Sequence, residues 1–131
     1  MSQGELEVVR AAFARWEKGD VDGMLEFAAE DVEWLPSVWS GAGLSYHGHE
    51  GVRKWASQFA GPERRIEVAG KEFRQGSSGI AVIGEVTEFR GEAPAATIAV
   101  GWVVELEAGK VVRAEGFSDP NRALRVAGVW D

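Results

Sequence analysis

Apolar residues recur along this chain at two different periods. In the first sixty residues the period is helical. After Ser2 and Glu5, a capping-box pair, the residues Leu6, Val9, Phe13 and Trp16 return at three- and four-residue steps and predict one apolar helix stripe. Gly19 ends that helix and Asp20 can cap a second, with Val21, Met24, Leu25 and Ala28 on one side. DVEWLP then reads as a short strand stopped by Pro36, and SVWSGAGLS as a loop carrying Trp39. GHEGVRKWASQFA predicts a third helix with Val52, Trp55, Ala56 and Phe59 on one face.

In the second half the period falls to two. RIEVAGKEF, GIAVIGEVTEFR, ATIAVGWVVELE and KVVRAEGFS read as strands joined by the short polar links QGSS, GEAP and EAGK, which implies antiparallel pairing. Asp119-Pro120 opens a last helix carrying Ala123, Leu124 and Ala127, and Gly128 stops it. Helices first and a meander after is an α+β pattern. The longest strand divides its faces by size. Ile98, Val100, Trp102, Val104 and Leu106 form a large apolar side, and Thr97, Ala99, Gly101, Val103 and Glu105 a small mixed one. The expectation is that the small side faces the helices. That leaves room for a ligand cavity or for Trp16, Trp34, Trp55 and the phenylalanines. The large side, with Val100, Trp102, Val104 and Phe117, then needs a second copy of the chain, predicting a homodimer through the sheet.

Composition narrows the function. The 131 residues suit one domain spanning 1–131. A net charge of −7 without a basic cluster argues against nucleic acid and anionic membranes as partners. The absence of cysteine removes disulfides and thiolate chemistry. The polar N-terminus and the lack of a long apolar run point to a cytoplasmic protein. Six tryptophans suggest a bulky core, a pocket or an interface.

Three stretches, ARWEKGDVDGMLEFAAEDVEW, YHGHEGVRKW and GWVVELEAGKVVRAEGFSDPNRALRVAGV, together resemble SnoaL-like proteins of the nuclear-transport-factor-2-like superfamily. The resemblance implies a cone-shaped α+β barrel, a curved mixed or antiparallel sheet wrapped around the N-terminal helices, with a pocket at its open end and usually a dimer. It also implies a small apolar ligand or substrate and no cofactor. Fold does not fix chemistry. Where ketosteroid isomerases carry their base, oxyanion tyrosine and protonated acid, this chain has Leu35, Ala12 and Gly101, and the epoxide hydrolases' acid falls at Gly116. Asp119 and Glu115 are the carboxylates available to a polyketide-cyclase-like site.

The candidate chemistry is sparse. His47 and His49 flank Gly48 in an HxH step, but catalytic zinc wants three ligands, and Gly48 before a helix reads better as a turn, so no metal is expected. His47, which titrates near neutral pH, is a candidate general acid or base, with His49 facing solvent. Glu33 is a second candidate if its strand face is the pocket, and a solvated charge if not. Trp16, Trp34, Trp39, Tyr46, Trp55 and Asp119 are candidate substrate contacts, although Asp119 before Pro120 is also well placed as a helix cap. Two readings stand side by side: a cofactor-independent proton-transfer enzyme of isomerase, cyclase or dehydratase type on an apolar or polycyclic substrate, and a binding module or accessory dimer of the same fold.

Overall fold

A computed structural model describes residues 2–36, 45–59, 61 and 64–129, with the side chains of Ser2 and Gln3 excepted. The capping role of Ser2, together with Trp39, therefore lies outside what is described. Among the described residues four helices and six strands follow in order: α1 (Ser2–Glu17), α2 (Val21–Leu25), β1 (Ala28–Leu35), β2 (Tyr46–His47), α3 (Gly48–Ser57), β3 (Arg65–Gln75), β4 (Ile80–Arg90), β5 (Ala93–Glu107), β6 (Lys110–Phe117) and α4 (Pro120–Ala127). Asp20 caps α2, its Oδ1 accepting from Gly23 N at 2.9 Å. Ala28, expected on α2, instead opens β1, because Phe27 O already accepts from Val111 N of β6.

The strands form one sheet in the order β2-β1-β6-β5-β4-β3. β1 runs parallel to β6, and every other pairing is antiparallel. The sheet is thus mixed and open, its β2 and β3 edges unpaired with each other. Bulges at Gly70/Glu72, Glu88/Phe89 and Glu105/Leu106 bend it. One core draws on α1, α2, α3 and the inner face of the sheet, with Val9, Phe13, Leu25, Trp34, Val52, Val82 and Trp102 among its members. The N-terminal helices therefore lie inside the wrap of the strands. Among the described residues no helix is long and apolar enough to cross a membrane.

The two faces of β5 are reversed from the expectation. Its large side points inward at α1. Val100, Trp102 and Val104 are at most 3 % exposed within a single chain. Phe117 does not share their face. It stands opposite Gly101 and is buried with Ala81, Val103, Ala123 and Ala127 beneath α4. The four residues expected to form a dimer interface are thus split between two faces and already covered. The reason is steric. Helices carrying Val9, Phe13 and Trp16 need large counterparts, whereas a helix whose inner residues are Ala123 and Ala127 needs a flat surface. The small face does meet a helix, but it is α4.

Gly101 sets how closely α4 lies. A Cβ there would stand 2.6 Å from the Cβ of Ala123 and 3.1 Å from Pro120 Cα, so any side chain forces the helix outward. Gly101→Ala is expected to destabilise the protein by about 1–3 kcal/mol, the usual range for overpacking. Ala123→Gly, itself costing about 1 kcal/mol in a helix, should offset part of that loss when combined with it. Urea denaturation of the two single variants and the double variant measures this coupling. Additive losses would mean that the two sites do not meet.

Candidate functional site

The inner face does not close completely on the helices. A cavity remains between α1, α2, α3 and strands β1, β5 and β6. The centre of a water molecule could move through about 80 Å³ of it. At roughly one water per 10–15 Å³ measured this way, that is space for a one- or two-ring molecule. α1 contributes Val9, Ala12, Phe13 and Trp16 to its wall, α2 contributes Met24 and Leu25, and α3 contributes Val52 and Trp55. The strands add Ala28, Val32, Trp34, Trp102, Val104, Val111 and Ala114. Among these side chains there is no carboxylate, imidazole, ammonium or hydroxyl. Trp16, Met24, Ala28 and Ala114 are the partly exposed members of this wall.

Four indoles dominate the wall. Trp16 meets Trp34, Trp55 and Trp102 with ring centroids 5.9, 6.3 and 5.8 Å apart and planes inclined by 88°, 63° and 67°. Trp34 and Trp55 meet at 5.1 Å and 76°. Such edge-to-face pairs contribute about 0.5–1.5 kcal/mol each beyond the area they bury. A smaller void lies beyond these rings, bordered by Trp16, Trp34, Trp55, Pro36, Val100 and Gly116. Outside, Arg53 of α3 donates to Asp22 of α2 at 2.7 Å, and that bond, ahead of Glu50, raises the guanidinium pKa further.

Residues 9–114 match the sequence model of the family described as the SnoaL-like domain. The chain belongs to the SnoaL-like family. Solved structures agree in fold. An NTF2-like protein of unknown function from Burkholderia pseudomallei is 24% identical, with a TM-score of 0.74 over 95% of this chain and 97% of that one. A candidate polyketide cyclase from Xanthomonas campestris pv. campestris is 16% identical, with a TM-score of 0.74 over 96% and 98%. TerC, co-crystallised with polyporic acid, is 22% identical, with a TM-score of 0.72 over 95% and 98%. No curated protein matches the chain.

In this SnoaL-like chain the residues singled out from sequence separate into two groups. Trp16, Trp34 and Trp55 line the cavity. Glu33 and His47 do not. The alternation that turns Val32 and Trp34 inward turns Glu33 outward, where it pairs in register with His47 and Arg113. Arg113 there reaches Glu33, Glu105 and Glu115 at 3.3, 3.4 and 3.3 Å. Of the two readings open for Glu33, the structure has the half-buried carboxylate as a partner in an ion network on the other side of the sheet. His47 is exposed, 3.4 Å from Ser45 Oγ. His49, expected to face solvent, is half-buried and its Nε2 lies 3.1 Å from Ala28 O, so that nitrogen carries a proton and donates. Gly48, at φ +74°, makes the turn between them, a conformation that a side chain resists. The two imidazoles leave that turn toward different partners. Among the described residues no group of three His, Asp or Glu is placed to hold a metal.

Tyr46 packs on the edge of the core without lining the cavity. Asp119 caps α4, its Oδ1 accepting from Asn121 N at 2.9 Å, away from the cavity. Trp39 falls outside the described residues. Sequence reasoning missed Ala12, Trp102 and Ala114 as wall residues. The pairing of Trp102 with Gly116, and of Ala114 with Val104, places small residues beside large ones and is the signal that could have located them.

The outer network makes its own prediction. Arg113→Met leaves three carboxylates facing one another on a partly exposed surface. Stability should fall by about 1 kcal/mol, the upper end for such pairs. Urea midpoints at low and high salt should converge on those of the unaltered protein as salt screens the repulsion. A salt-independent loss would assign the role of Arg113 to packing.

Proposed function

We propose that this SnoaL-like chain is a binding module for a small, ring-containing apolar molecule held in the cavity between α1, α2, α3 and the sheet, without acid/base chemistry of its own. The observation that carries this reading is the wall itself. Every described side chain lining the cavity is aliphatic, aromatic or a thioether. General acid/base catalysis needs a titratable group within hydrogen-bond reach of the reacting atom. The two groups nominated for that work, Glu33 and His47, belong to the outer face of β1 and β2.

Two features fit such a guest. The wall is mostly rigid indole and phenyl, which offers flat contact area with little conformational entropy to lose. Cavities of this type, apolar and largely preformed, are the usual seat of small-molecule binding. The fold neighbour TerC, co-crystallised with polyporic acid, supports a small organic ligand as the class of guest.

The reading is tested with tetralin, a two-ring hydrocarbon, as the probe, and by native mass spectrometry of the purified protein for a retained small molecule. Ala12 lies on the wall and is 8 % exposed. Ala12→Leu should fill the space, weakening tetralin binding at least tenfold while thermal stability holds or rises by about 1 kcal/mol, as cavity filling commonly gives. Glu33→Gln and His47→Gln should leave the affinity within twofold. Undiminished binding by Ala12→Leu, or loss of binding in either outer-face variant, would place the guest elsewhere.

A further inference from the structure

A second recess lies on the far side of two of the cavity's indoles. Trp16 and Trp55 line the inner cavity with part of their surface and an outer groove with another part. The groove lies between the end of α1, the end of α3 and the start of β3, and the centre of a water molecule could move through about 340 Å³ of it. Val21, Ala56, Phe59 and Ile66 complete its apolar floor. Trp16, Val21, Ala56 and Ile66 are partly exposed. Apolar surface left facing water in a concave place is where a ligand gains by covering it.

Unlike the inner wall, this one carries charge. Glu17, Lys18, Arg65 and Glu67 border it. Three of the four are already engaged. Glu17 Oε2 accepts from Gly70 N on the edge strand β3 at 2.8 Å. Arg65 donates to Glu67 at 2.6 Å, and its guanidinium lies 4.0 Å from the centre of the Phe89 ring. Lys18 remains. It is exposed, and among the described residues its ammonium has no hydrogen-bond or ion-pair partner. A cation just past the end of α1 complements the helix dipole. That accounts for the charge and not for the apolar floor beside it. The chain carries −7 overall, so an anion settles only where a local cation and contact area act together.

We infer that the groove is a second binding site, separate from the inner cavity, for a ring compound carrying one carboxylate. The rings cover the floor beside Trp16 and Ile66, and the carboxylate stays at the rim against Lys18 Nζ. Held there it keeps part of its hydration, so no charge is buried.

The test compares 2-naphthoate with 2-naphthamide, alike in shape and different in charge, by isothermal calorimetry near neutral pH. The unaltered protein should bind the naphthoate about fivefold more tightly than the amide, the upper range for an exposed ion pair. Lys18→Met should bring the naphthoate down to the affinity of the amide and leave the amide within about twofold. Lys18→Arg should keep most of the preference. Two further variants locate the site, because Ala56 borders the groove and not the inner cavity, and Ala12 the reverse. Ala56→Leu should weaken both naphthyl compounds at least about fivefold. Ala12→Leu should leave them within about twofold. Neither result depends on whether tetralin binds inside. No binding of the naphthoate, or binding indifferent to Lys18→Met, would overturn the inference. Loss of the naphthoate in Ala12→Leu would move it to the inner cavity, and the second site would fall.

Discussion

Four indoles meeting edge to face set the terms for this molecule. Each comes from a different element: Trp16 from α1, Trp34 from β1, Trp55 from α3 and Trp102 from β5. Trp16 touches the other three. The cluster thus ties two helices to two strands that are not neighbours in the sheet. Rings inclined by 63° to 88° cannot tile space as stacked plates do. Branched aliphatic side chains would shift to fill the gaps, but indoles have two side-chain torsions and one rigid shape. The small residues around them, Ala12, Ala28 and Ala114, do not reach across. The same contacts that hold the elements together leave the cavity open. Packing density near that of an organic crystal is normal for a protein interior, and a void kept open by rigid groups departs from it.

The sheet can present its large side inward because its other side is otherwise covered. α4 lies on the outer face with Ala123 and Ala127 fully buried against Ala81, Val103 and Phe117. Gly101 permits that close approach, and Asp119 and Gly128 fix where the helix begins and ends. Were α4 built from larger residues, it would stand off and expose apolar strand surface. The division of labour between faces also explains where charge goes. β1 and β6 run parallel, so Glu33 falls beside Arg113 and Trp34 beside Ala114. One pleat sends the ion network outward and the tryptophan inward, and no register of these two strands puts both on one side.

Much of the fold was legible in the residues, and the errors are instructive. The change from helical to alternating period placed every strand of the meander, and the caps at Asp20 and Asp119 located two helix starts. Size alternation along β5 was also read correctly as two unlike faces. What it could not say was which face met which helices, because a strand pattern gives the contents of each side and not its direction. That answer lay in α4, whose small inner residues match Gly101. The parallel partnership of β1 with β6 was hidden too, since no local signal marks a strand that pairs with one eighty residues later. Which of the two faces held Glu33 stayed open for the same reason. The two histidines misled for a different reason. A titratable side chain draws attention wherever it sits, and His49 turned out to be bound to a backbone carbonyl while His47 stands exposed.

The site was only half legible because its defining property is a lack. Ala12 and Gly116 occupy places where the family resemblance would put catalytic groups, and both border the voids. Neither carries a functional group. A buried acid or base at such a position would need ordered water or compensating polar partners around it. Without one, the wall is rigid rings and aliphatic groups, and the shape of the space rather than a charged partner decides what fits it.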